Sequence, residues 1–411
     1  MRRIESYGSL EGKTVVVAFS GGLDTSFCVT YLQKEYGARV MTVTVDTGGF
    51  TPVQLTAIEQ RSRELGAAAG HRTVDATARL WRDFLVPLIQ GNVLRGGTYP
   101  LSVGAERVAQ AVEVAVVSRE VGAAAVVHGS TGAGNDQIRF DVAFAVIAPE
   151  LPCLTPIRDL GAARPEETEY LGRHGIAVPP KTTAYSINEG LWGTTIGGRE
   201  THGSWEEVPE HLYPGTPPSR APEAGQVITL AFERGLPCAV DGRALDGVSL
   251  VRELNRVGGM HGVGRGVHLG DTILGIKGRV AFAAPGPQIV IRAHRELEKL
   301  VLTGWQAFWK EQMGAFYGQL LHNGLWFDPV MRDIEALLSS SQQRVTGEVR
   351  LRLCRGVADV LGVKSPFSMM DPKVAVYGEG MKLWSGEEAR GFARIWGLPA
   401  VLWSRAGGTE Q

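Results

Sequence analysis

From residue 14 to about residue 128, short runs rich in β-branched residues alternate with segments of helical periodicity, which predicts a parallel sheet flanked by helices. The runs predict strands at 14–19, 39–46, 71–75 and 124–128 and helices at 25–36, 52–65, 78–89 and 105–120. Thr51 and Pro52 suit the N-cap and first turn of the second helix. The proline-containing run 178–183 breaks regular structure, and glycine and short scattered strand-like runs follow it, so a second domain is expected from there. Within it, 213–222 is too proline-dense for a central element and reads as a surface loop. Leu297, Leu300, Val301, Trp305 and Phe308 recur at helical spacing and predict one long amphipathic helix over 293–316, packed on the core.

A chain of 411 residues exceeds what one hydrophobic core usually supports, so at least two domains are expected. With 42 basic and 43 acidic residues the formal net charge is -1, and no overall positive field is available to hold a nucleic acid. Cys28, Cys153, Cys238 and Cys354 are far apart in sequence, form no C-x-x-C pair and are expected to be free thiols in a reducing compartment. The N-terminus has no secretory pattern and no run reaches the roughly 18 apolar residues of a membrane span, so a cytoplasmic location away from membranes is expected.

The first strand runs directly into Ser20-Gly21-Gly22-Leu23-Asp24-Thr25-Ser26 and then into a helix. Gly21 and Gly22 let backbone approach a ligand, Ser20, Thr25 and Ser26 offer hydroxyls, and the helix start aims its positive dipole end at whatever lies above the strand. A Walker-like string ending at Lys13-Thr14 precedes that strand, on the wrong side for a phosphate loop, and is set aside. The string at 20–26 resembles the signature of PP-loop ATP pyrophosphatases. The resemblance implies that Ala18, Ser20, Gly21, Gly22, Asp24, Thr25 and Ser26 hold ATP, that Val45 contacts adenine, and that Asp24 arranges Mg2+ around pyrophosphate.

A second glycine-rich loop, His128-Gly-Ser-Thr-Gly-Ala-Gly-Asn-Asp-Gln-Ile-Arg-Phe140, follows the strand at 124–128 and is expected to face the first loop across the same sheet edge. It closely resembles a motif of the argininosuccinate synthases, with further matches at Tyr185-Ser-Ile-Asn188, His261-Gly-Val-Gly-Arg265, Gly275-Ile-Lys-Gly-Arg279 and Ser341-Gln-Gln-Arg-Val-Thr-Gly347. The fold class expected is therefore α/β: a parallel-sheet PP-loop domain over 1–177, an α+β synthetase domain over 178–385 and a short C-terminal segment over 386–411. The resemblance implies an ATP-dependent ligase of arginine biosynthesis that forms AMP and pyrophosphate. Gly129 would belong to the ATP site, Thr131, Asn135 and Asp136 would hold aspartate, and Tyr99, Asn135, Arg139, Ser186 and Thr195 would surround citrulline. Asp24 and Arg107 are the catalytic candidates. The partners implied are these small molecules and other copies of the chain in a homo-oligomer.

The departures from the family pattern concentrate on the acceptor side: Gly104 replaces a serine, Gly270 a glutamate and Phe282 a tyrosine. A lost charged hydrogen bond is worth about 1.5–3 kcal/mol, so citrulline affinity should fall on the order of tenfold to a hundredfold unless Asp271, Asp246 or Glu253 substitutes. The pattern leaves open a different acceptor, such as an N-acylated citrulline or another ureido or amide carbonyl. A tRNA-modifying PP-loop enzyme would need a basic module or catalytic cysteines. At the C-terminus the family's long intersubunit helix is expected to be interrupted over 391–399 by glycine and proline.

Overall fold

Val15, Val16 and Val17 are fully buried and form the middle of β1 (Thr14–Ala18), the central strand of a five-stranded sheet in the computed structural model. The structure describes residues 1–178, 185–374, 376–378 and 383–407; from residue 179 the expected break at 178–183 lies outside the described residues. The sheet order is β3-β2-β1-β4-β5, with β2 Arg39–Asp46, β3 His71–Asp75, β4 Ala125–Val127 and β5 Cys153–Leu154, and all neighbours are parallel. Val15 and Val17 pack on the helix α1 (Leu23–Tyr36) side and Val16 on the other, as the two-residue period of a strand requires. That burial on both faces explains why the strand reads as a continuous apolar run.

Thr51 accepts from Gln54 N while the Gln54 side chain accepts from Thr51 N, a capping box that starts α2 (Pro52–Glu64) where expected. The helix expected at 78–89 is α-helical only at its ends, α3 (Thr77–Arg79) and α4 (Val86–Gln90), and Leu80–Leu85 between them is π-wound. Pro87, which cannot donate a helical hydrogen bond, lies just past the wide turn. Helices α5 (Ser102–Glu120) and α6 (Asp136–Ile147) cover the Val16 face of the sheet.

Two antiparallel sheets follow. One has the order β11-β12-β7-β6, with β6 Tyr185–Asn188, β7 Thr194–Gly198, β11 Arg265–Asp271 and β12 Lys277–Ala283. The other has the order β10-β9-β8-β13-β14, with β8 Gln226–Glu233, β9 Leu236–Val240, β10 Arg243–Ala244, β13 Gly347–Cys354 and β14 Val357–Lys364, and packs on the helices Pro285–Val301, Gly304–His322 and Pro329–Ser341. The single helix expected over 293–316 is therefore two. Thr303 and Gln306 form a capping box that starts a new helix and resets the phase. Leu297 and Val301 before the break are buried, whereas Trp305 and Phe308 after it are 73% and 49% exposed.

Residues 213–222 carry only a three-residue turn, Pro218–Arg220. The chain divides into two compact units, Met1–Pro366 and Phe367–Gln411. In the second, Gly391 lies inside the helix Gly386–Trp396; the interruption comes at Gly397, where Leu398–Ala406 begins with Pro399 in its first turn. The four cysteines are free. Among the described residues no helix is long and apolar enough to cross a membrane.

Candidate functional site

The chain leaves β1 through Ser20, Gly21 and Gly22 and enters α1 at Leu23 with Gly22 as an N-cap that offers no side-chain hydrogen bond. Gly21 has φ +73°, a conformation costly for any residue with a Cβ. Ser20 Oγ accepts from Gly22 N at 3.4 Å and lies 3.3 Å from Thr25 Oγ1, while Thr25 donates to Gly22 O. These bonds set the loop before any ligand arrives. Ser26 differs: it is fully buried and accepts from Arg61 Nε at 3.3 Å, so its hydroxyl braces α1 against α2.

The loop after β4 comes so close that a Cβ on Gly129 would meet the Asp24 backbone and Thr25 Cγ2 at 3.4 Å. β1 and β4 are neighbours from which the chain departs to opposite sides, the switch point where open parallel sheets bind ligands. A cavity of about 720 Å3 opens there, of a size that suits a nucleotide with a small substrate. Ala18, Ser20, Gly22, Asp24, Thr25, Val45, Gly129 and Thr131 line it, together with Arg107, Asp136 and Ser186.

His128 anchors the second loop. Its Nδ1 accepts from Ser130 N at 3.2 Å, so Nε2 carries the proton and donates to Asp141 Oδ1 at 2.9 Å. Arg158 donates to the other Asp141 oxygen at 2.6 Å. Burial would raise the Asp141 pKa, but the bonds from His128 and Arg158 outweigh it and hold the carboxyl at about 2. His128, Asp141 and Cys153 are close enough to hold a metal ion, yet both imidazole nitrogens and both carboxylate oxygens already have partners.

Asp136 begins α6 with both oxygens engaged by guanidinium groups: Arg107 Nε at 3.1 Å and Arg139 Nη1 at 2.7 Å. Burial opposes its ionisation, but the two arginines prevail and hold the pKa below the usual carboxylate value. Arg107 also donates to Gln110 Oε1 and Asn188 Oδ1, and Arg139 donates from Nε and Nη2 to His322 O. Asn135 Oδ1 accepts from Ile273 N at 2.9 Å, tying the loop to the β11–β12 turn.

Tyr99, Arg139, Asn135 and Thr195 do not line the cavity. Tyr99 and Arg139 are buried beyond Asp136, and Thr195 is buried in β7 opposite Phe282. Gly104 faces Arg139, whose Nη2 would meet a Cβ there at 3.6 Å, an ordinary van der Waals contact. None of the three possible substitute carboxylates is free: Asp271 pairs with Lys277, Asp246 caps the helix Gly247–Met260 through Ser249 N, and Glu253 pairs with Arg256.

Sequence reasoning missed Arg164, Glu167, Asn188, Arg95 and His268. Arg164 lies 3.9 Å from Asp24 Oδ1, and buried Glu167 faces Asp24. Burial first, then repulsion and hydrogen bonding from Asp24, push Glu167 up to about 8, so Glu167 is protonated at neutral pH. Only a helix of mixed charge marked Arg164 and Glu167 in the sequence, and nothing marked His268.

A parallel sheet with two facing glycine-rich loops at its switch point, followed by antiparallel sheets, defines a nucleotide-binding HUP domain joined to a second, mixed α/β part. The model of the Arginosuccinate synthase N-terminal HUP domain matches residues 14–177 and that of the Arginosuccinate synthase C-terminal domain matches 185–403. The argininosuccinate synthase of Methanocaldococcus jannaschii is 37% identical over 391 residues, covering 95% of this chain and 98% of that protein. That of Thermosynechococcus vestitus is 40% identical over 393 residues, covering 95% and 97%. That of Rubrobacter xylanophilus is 38% identical over 400 residues, covering 96% of each. The chain belongs to the argininosuccinate synthase family of C–N ligases.

Proposed function

We propose that the chain joins L-aspartate to the ureido carbon of citrulline or a close relative, consuming ATP and releasing AMP and pyrophosphate. The ureido oxygen attacks the α-phosphorus, an O–P bond forms, and pyrophosphate leaves. The aspartate amine then attacks the ureido carbon, a C–N bond forms, the C–O bond to AMP breaks, and the amine protons pass to solvent. The observation that carries this reading is the Gly129–Asp24 contact, which opens the phosphate-type loop and the Thr131–Asp136 loop into one cavity. Two substrates held side by side need positioning and charge stabilisation more than a nucleophilic side chain.

In this reading the helix start and hydroxyls at 20–25 bind the phosphates, and Val45 borders adenine. Arg107 stabilises charge at the reacting phosphate and keeps Asp136 ionised for the aspartate ammonium, with Thr131 and Asn135 near its carboxylates. Asp24 lies in the cavity wall beside Ser20 and Thr25, a position that suits a carboxylate that helps hold Mg2+ on the phosphates. Bound there, Mg2+ would supply charge neutralisation for the departing pyrophosphate. The remaining expectations, a cytoplasmic homo-oligomer acting on small molecules without nucleic acid or membrane, stand with this reading and draw on the near-zero net charge.

The test is pyrophosphate release from purified protein with ATP, Mg2+ and aspartate, with and without citrulline. Argininosuccinate formed in step with pyrophosphate is the expected result. Release that ignores aspartate would sink the reading. A second acceptor class is favoured by a specific observation, the absence of an uncommitted carboxylate among Asp271, Asp246 and Glu253.

A further inference from the structure

His268 projects from β11 into the layer beyond Asp136. Its ring stacks on Tyr99 with centroids 5.6 Å apart, and Tyr99 in turn packs on Phe282 at 5.3 Å. Two glycines make the space: a Cβ on Gly270 would lie 2.7 Å from His268 Nε2, and one on Gly96 would lie 3.0 Å from Cε1. His268 is only 8% exposed, and its Nε2 has no hydrogen-bond partner. An orphaned buried ring nitrogen costs free energy unless a ligand satisfies it.

The surroundings are cationic. Arg95, held beside Tyr99 by the bridge Arg95–Tyr99, donates Nη2 to Asp271 O at 2.7 Å and forms no ion pair among the described residues. Arg139 and His322 complete the cluster, and burial with nearby guanidinium charge keeps both histidines neutral by lowering their pKa values. The acidic groups acting on it are Asp136, shared by two arginines, Asp271, paired with Lys277, and Glu106, buried and accepting from Trp192 N. A carboxylate would accept from Arg95 and from His268 Nε2–H together, whereas an ammonium would meet guanidinium charge and no uncommitted anion.

We infer that the acceptor presents a carboxylate to Arg95 and His268 and carries no free ammonium beside it, which makes it an Nα-acylated or deaminated ureido acid. This rests on the ligase reading above and deepens it by naming the acceptor class.

The experiment measures pyrophosphate release with ATP, Mg2+ and aspartate against four acceptors: citrulline, Nα-acetylcitrulline, 5-ureidopentanoate and the carboxamide of citrulline. At least one of the acetylated and deaminated compounds should show a KM about tenfold or more below that of citrulline, with no release from the carboxamide. Arg95→Gln and His268→Leu should each raise that KM about tenfold or more, and His268→Gln, which keeps a donor, should recover part of it. Citrulline as the preferred acceptor, a carboxamide as good as the acids, or an unchanged KM in Arg95→Gln overturns the inference and leaves the ligase reading standing. If no acceptor supports release, the ligase reading fails, and calorimetry of 5-ureidopentanoate against the carboxamide decides the carboxylate site separately: preference for the acid supports it, and equal or no binding removes it.

Discussion

Arg107 donates to Asp136 Oδ2 at 3.1 Å and, from the same guanidinium, to Asn188 Oδ1 at 2.7 Å, so one side chain of α5 joins α6 to β6 across the cavity. A lysine cannot span both partners. Each charge-assisted bond is worth about 1.5–3 kcal/mol, so Arg107→Lys should lower kcat/KM for aspartate about tenfold to a hundredfold. Steady-state kinetics at fixed ATP provides the check, and an unchanged aspartate dependence would remove Arg107 from the site.

Asp136→Ala should raise the KM for aspartate far more than that for ATP, because Asp136 belongs to the loop after β4 and not to the β1 loop that takes the phosphates in this reading. It also leaves Arg107 and Arg139 without their shared anion. Equal rises in both constants would instead indicate a general collapse of the cavity.

Gly21→Ala places a Cβ at φ +73° and 3.3 Å from Ile58 Cγ1. The strain costs on the order of 1–2 kcal/mol, and relief by shifting the loop spoils the phosphate cradle. The expected outcome is a lower Tm with a raised KM for ATP. Measuring ATP binding by calorimetry separates the two effects.

Glu167, at about 8 in the folded chain against an ordinary 4.5, holds a proton that unfolding releases. Stability should therefore be fullest below pH 4.5 as far as this group is concerned and fall as pH rises toward 8, by up to about 1.4 kcal/mol per pH unit. Urea unfolding at pH 5.5 and pH 8 reads this slope. Glu167→Gln should flatten it, and an identical slope in that variant would assign the pH dependence elsewhere.

Lys310, 1% exposed, donates to Glu298 Oε2 at 2.7 Å, and Glu298 also accepts from Asn92 and Gln342. Removing one charge of a buried pair strands the other, so Lys310→Met should lower unfolding stability by about 3–5 kcal/mol. A loss under about 1 kcal/mol in urea titration would mean that water reaches Glu298.

Much of the nucleotide-binding half was legible because its signals are local. Three consecutive buried valines leave little choice but a strand covered on both faces, and Gly21 and Gly129 mark where backbone must turn or approach. The apolar spacing that continues through Trp305 and Phe308 hid the break at Thr303, where the capping pair Thr303 and Gln306 starts a second helix. The resemblance marked Asp136 as a residue that would hold aspartate, and the structure adds two arginines from different helices that bond its carboxylate.

The sequence by itself determined the alternation of strands and helices around the parallel sheet, the two glycine-rich loops and the family, because each depends on residues adjacent in the chain. Tertiary structure alone decided that Asp271, Asp246 and Glu253 each have a partner, that Ser26 faces Arg61, and that His268 fills the space left by Gly96 and Gly270. Those outcomes depend on strand register and on partners far apart in sequence. A single residue of register would turn His268 to the other face of its strand.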